Sequence, residues 1–139
     1  MYDFAMENLE HAHRLNPELF EATNLLGDLY LRKKNKLHAL ELYSESLSVN
    51  ERQEPTHIKA GEIDDFYTRY DDALSHFNRA IELNPESYRA LIGAARIYSI
   101  QGNVVRANSD FSRAYEIRKG KSQPLEREAD KLYSKKKYL

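Results

Sequence analysis

Five histidines and two pairs of adjacent aspartates are the side chains in this 139-residue chain that could carry acid/base or metal chemistry. His11 and His13 lie two residues apart, so on a helix they turn to different faces and cannot share a metal. His38, His57 and His76 show no ligand spacing. Asp64-Asp65 and Asp71-Asp72 are neighbours in sequence, whereas an acid/base pair needs carboxylates opposed across a cleft. They read as solvated residues and helix caps. No G-x-G-x-x-G, G-x-x-x-x-G-K-[ST], H-E-x-x-H or EF-hand loop occurs. The lack of cysteine removes disulfides, cysteine-zinc sites and thiol nucleophiles together. The expectation is therefore no catalytic residue, no metal ligand and no cofactor.

Composition points away from other classes as well. Charged residues make up 31% and hydrophobic ones 41%, as in ordinary helical proteins, and no apolar run is long enough to span a bilayer. Met1 leads straight into a helical pattern, so no leader is read, and the working expectation is a cytoplasmic protein or a piece of a larger one. The net charge of -1 is unevenly spread: residues 118 to 139 carry a surplus of +5, leaving -6 on the rest. Such an end could touch nucleic acid or anionic lipid. A terminal helix needs a polar outer face in any case, so neither partner is expected. The ten tyrosines fall mostly at positions that pack helix on helix, not as a base-stacking platform.

What positions these residues is a repeat. Tyr70 to Pro85 places Ala73, Leu74, Phe77, Ala80, Ile81 and Leu83 on one helical stripe, and Asn84-Pro85 ends it. Stepping by 34 residues finds the same phase in Tyr2 to Pro17 (Ala5, Leu9, Ala12, Leu15), Lys36 to Glu51 (Ala39, Tyr43, Leu47) and Val104 to Lys119 (Ala107, Phe111, Ala114). The segments between repeat too, linking Leu26, Ala60 and Ala94, then Gly27, Gly61 and Ala95, then Tyr30, Asp64 and Tyr98. Four copies at one period make a repeat protein, each unit a helix pair.

With Leu26, Gly27 and Tyr30 in L-G-x-x-Y spacing, and Ala73, Phe77, Ala80 and Pro85 in theirs, the chain resembles the tetratricopeptide repeat family over nearly its whole length. The resemblance implies an all-α fold: antiparallel helix pairs, A then B, stacked into a right-handed superhelical solenoid whose A helices line a concave groove. In order, the units are an N-terminal half repeat over 1–17 (a B helix alone), full repeats over 18–53, 54–85 and 86–119, and a C-terminal capping helix in 120–139. Helix A of the first full repeat is expected over Glu18 to Arg32, and the last B helix over Val104 to Ile117, broken by Lys119-Gly120. Leu125, Ala129 and Leu132 share the phase of Leu91, Ala95 and Tyr98, so a further A helix is expected from Pro124 to about Tyr138.

Two slots break the pattern. Glu51 stands where proline is expected, and Asp64 stands where its neighbours have tyrosine. A buried carboxylate costs free energy unless paired. The expectation is that Asp64 stays near solvent while Ile63, Phe66 or Tyr67 swings inward.

The family's groove positions read here Glu21, Asn24, Leu25, Asp28, Leu31 and Arg32; then Pro55, Ile58, Lys59, Glu62, Asp65 and Phe66; then Arg89, Ile92, Gly93, Arg96, Ser99 and Ile100. One subfamily clamps acidic chaperone C-termini with Lys, Asn and Arg at set positions. This chain matches only loosely at Arg89, with Asp28, Lys59 and Gly93 elsewhere in the set, which argues against that role. The resemblance thus implies a non-catalytic module binding a protein or peptide segment in the groove. Charges change sign along it, so a ligand acidic toward Arg89 and Arg96 is expected, with apolar contacts from Leu25, Ile58, Phe66 and Ile92. The alternative is a self-assembling scaffold, a homo-oligomer formed through the uncovered face of the N-terminal helix.

Overall fold

The structure, a computed structural model, describes residues 2–120; the expected C-terminal helix lies outside the described residues. Seven helices follow one another: α1 (Tyr2–Leu15), α2 (Phe20–Arg32), α3 (Lys36–Val49), α4 (Glu54–Phe66), α5 (Tyr70–Leu83), α6 (Tyr88–Ile100) and α7 (Val104–Gly120). There is no strand among the described residues. Helices α2 and α3, α4 and α5, and α6 and α7 pair as A and B partners, and successive pairs stack. The A helix α2 starts at Phe20 instead of Glu18. Helix α7 runs through the expected break to Gly120, with Arg118 and Lys119 in its last turn facing the negative end of the helix dipole.

The corners repeat as faithfully as the helices. Lys34, Thr68 and Gly102, one period apart, all sit at positive φ (64°, 58° and 81°). Each closes its A helix in the same way: Asn35, Arg69 and Asn103 donate their N–H groups to Tyr30, Asp64 and Tyr98 carbonyls, the long bond of a Schellman cap. At the other end of each unit Asn16, Asn50 and Asn84 accept the backbone N–H two residues on, forming one Asx turn per period. That turn forms whether proline or Glu51 follows, which explains how Glu51 is tolerated.

The core is a ladder of rings laid over glycines. Tyr43 covers Gly27, and a Cβ on Gly27 would meet the ring at 2.7 Å. Phe77 is gripped from both sides: a Cβ would meet its ring at 2.9 Å from Gly61 and at 2.6 Å from Gly93 on the next A helix. Around it close Ile58, Ala73, Ala80, Ala90, Ala94, Ile97 and Tyr98. Phe111, one period on from Phe77, is exposed.

One expectation is overturned. Asp64 is only 4% exposed, while Phe66 turns out to solvent; of the three residues named as able to swing inward, Ile63 is the one fully buried. The phase of the slot decides this: position 64 faces helix α5 whatever residue fills it. Partners then collect around the carboxylate, with Arg69 Nη1 at 3.9 Å and His76 Nε2 at 3.7 Å.

Candidate functional site

The A helices α2, α4 and α6 bring the groove positions into one row, and most of the charges in that row are already matched. Asp28 on α2 accepts from Lys59 Nζ on α4 at 2.9 Å and from the Tyr43 hydroxyl at 2.5 Å. Burial and the Asp28 carboxylate together push the Tyr43 phenol up, so it stays a donor. On the other side of α4, Glu62 pairs with Arg89 and Asp65 with Arg96, both on α6. All three ion pairs therefore pass through α4. Glu21 and Arg32, the remaining charged groove positions, are exposed. The sign change expected along the groove is present in the residues, but Arg89 and Arg96 face carboxylates of this chain.

Apolar surface is left beside the paired charges. Leu25, Phe66 and Ile100 are 54%, 62% and 51% exposed, and Leu31 and Ile92 are partly so. Lys36 lies over the Phe66 ring at 4.2 Å, and Tyr67 meets its edge. Ile58 is buried in the core and shows only at the floor of a hollow of about 350 Å³, which Pro55 and Arg89 also line. Asn24 donates to Gln53 Oε1 at 2.6 Å, and Gln53 in turn holds Ser46 and Asn50, tying α2 to the α3–α4 loop.

On the opposite side of α4 is a cluster that the spacing of the histidines did not reveal. His57 Nδ1 and His76 Nδ1 are 3.0 Å apart. The two are 19 residues apart in sequence and meet because α4 and α5 are antiparallel. His57 Nε2 lies 2.9 Å from the Glu51 carbonyl and 3.4 Å from its carboxylate. Burial and the Asp72 charge push Asp64 up to about 6, with Arg69 opposing. Burial and His57 hold His76 below the usual imidazole range. The hydrogen bond to Arg79 holds Glu51 low. The one available sequence signal was that Asp64, Arg69 and Asp72 depart from their in-phase neighbours at a single corner. His13 pairs with Glu45, and His38 with Glu41. Among the described residues no group of three or more His, Cys, Asp or Glu could hold a metal ion. No helix there is long and apolar enough to cross a membrane.

Residues 68–124 match the family model for the tetratricopeptide repeat. A search of the curated proteins gave no match. Among solved structures, one described as the crystal structure of MamA is similar at a TM-score of 0.80 and 22% identity, covering 87% of this chain and 71% of that one. A second MamA structure aligns at 0.77 and 22%, covering 88% and 67%. MamA residues 41 to the end from Desulfovibrio magneticus RS-1 align at 0.75 and 16%, covering 88% and 69%. At such identity the likeness is one of fold. The 34-residue period and the paired helices run through the described residues, and over 68–124 they coincide with the match to the tetratricopeptide-repeat family model.

Proposed function

We propose that the face formed by α2, α4 and α6 binds an extended segment of a partner protein, and that the chain works as a non-catalytic interaction scaffold. The observation that carries this reading is the exposure of Leu25, Phe66 and Ile100 in a row whose acids and bases largely pair with one another. Exposed large apolar groups framed by polar ones are what recognition surfaces offer. Anchors of this kind supply affinity, while rim charges mainly set orientation and on-rate. The paired arginines alter the expected ligand: complementarity rests on apolar anchors more than on an acidic end. A photo-crosslinking residue placed at Phe66 should capture a partner in the cell of origin, where one placed at His11 on exposed α1 captures none. Equal capture from both positions would remove the assignment.

A second reading, self-assembly through α1, is favoured by one observation. Phe4 and Leu15 are each 72% exposed on that helix. Light scattering over a range of concentrations tests it, and a monomer throughout counts against it.

A further inference from the structure

The back of α4 holds a proton-counting problem that the front does not. The Glu51 carbonyl can only accept, so His57 Nε2 carries a hydrogen and donates it there at 2.9 Å. The neutral His57 ring then has a bare Nδ1. His76 Nδ1, 3.0 Å away, must supply the hydrogen between the two rings, and this leaves His76 Nε2 bare and facing the Asp64 carboxylate at 3.7 Å. One proton between the Nδ1 atoms holds the rings together. Two cannot fit.

We propose that the central repeat contains an acid-sensitive joint, in which the Nδ1–Nδ1 bond between His57 and His76 fastens α4 to α5 near neutrality and is lost when both Nδ1 atoms are protonated. A proton taken up by the Asp64 carboxylate, at the edge it shares with His76 Nε2, leaves the bond undisturbed. Asp64 is the natural first acceptor, since burial and Asp72 already favour its neutral form. A hydrogen on both Nδ1 atoms sets two N–H groups against each other and forces the rings apart.

The charged groups around the rings come from several neighbouring elements. Helix α4 contributes Asp64, α5 contributes Asp72 and Arg79, the α4–α5 turn contributes Arg69, and the loop before α4 contributes Glu51. Glu51 is shared with Arg79, so its charge is largely committed. The charged and titratable groups of α3 are engaged away from the cluster: Lys36 over Phe66, His38 with Glu41, and Glu45 with His13. On α6, Arg89 and Arg96 face Glu62 and Asp65. Because all three ion pairs of the A-helix face pass through α4, loosening its back also loosens that face. This last step rests on the proposed binding face; the joint itself does not.

Two measurements on the protein alone decide it. Imidazole nitrogen NMR at about pH 7.5, above the ordinary histidine range, should show a protonated Nδ1 on His76 and a bare Nδ1 on His57. Amide-exchange protection across α4 and α5 should then fall at least about tenfold more than across α2 and α3 when the pH drops to about 5, the effect of one unit of differential proton affinity. The same fall should be absent in His76→Gln. Two bare Nδ1 atoms at the higher pH, or uniform protection loss across all helices, overturns the joint. If His76→Gln does not fold, the comparison within the wild-type chain still decides it.

Discussion

The α4–α5 corner and the two corners that flank it share one backbone and differ in nearly every side chain that should support it. Asn35 and Asn103 cap α3 and α7 by accepting the N–H three residues on, whereas Arg69 in the same place gives α5 no side-chain cap. Tyr30 and Tyr98 pack against His38 and Arg106, whereas Asp64 faces the charge of Asp72. At the left-handed position Gly102 is free of strain, while Thr68 carries a β-branched side chain. The central repeat nevertheless has the tightest ring packing, with Phe77 between Gly61 and Gly93. Its packing supplies the stability that its corner gives away. Local rules broken together, at one place, are expected where a site does something besides fold.

The contrast can be broken at its strongest point first. Phe77→Ala should cost roughly 3–5 kcal/mol in denaturant unfolding, the range for a large aromatic lost from a closed core. A loss below about 1 kcal/mol would mean that the glycine clamp is not what holds the repeat.

Asp64→Asn should raise stability by roughly 1–3 kcal/mol at neutral pH. The sign follows from the upward shift. A carboxyl at about 6 when folded and near its ordinary value of 3.8 when unfolded opposes folding while ionised, and is relieved as pH falls through 6. The variant's advantage should therefore close on acidification, as thermal melts at a series of pH values would show. A constant gap would put the cause elsewhere.

Smaller changes should make the corners alike. Arg69→Asn supplies the missing cap and should contribute about 1 kcal/mol, measured by urea unfolding in the Asp64→Asn background so that the loss of the nearby Arg69 charge is not felt. Thr68→Gly relieves the left-handed strain and should stabilise by about 0.5 kcal/mol after the entropic cost of glycine. The same change at Gly102's neighbours has no such strain to relieve. Should Thr68→Gly destabilise, the threonine makes a contact worth more than its strain.

Much of this was legible in the 34-residue period. It located the helix pairs and two of the glycines under the rings, Gly27 and Gly61, because these repeat in phase and burial follows phase; Gly93, read as a groove position, instead packs against Phe77. The period also marked position 64 as anomalous. The cost of burying a carboxylate favours an outward Asp64, but geometry keeps the slot inward and partners gather instead. Pairings across helices were not legible: Asp28 with Lys59, Glu62 with Arg89, and His57 with His76 depend on the stacking offset of neighbouring helices, which a repeat period does not specify. Ile58 shows the same limit. Its groove position is occupied, but the residue is buried, so Ile58→Ala tests packing more than binding.

The central claim is that the A-helix face binds through apolar anchors among self-paired charges. It is tested most directly by the affinity of the segment captured at Phe66, measured for wild type, Phe66→Ala and Phe4→Ala between about 0.05 and 0.5 M salt, a range over which screening strengthens severalfold. The account predicts at least about a tenfold weakening in Phe66→Ala, or 1.4 kcal/mol, no change in Phe4→Ala, and little dependence on salt. Unchanged affinity in Phe66→Ala, or a steep fall with salt in the wild type, would contradict it.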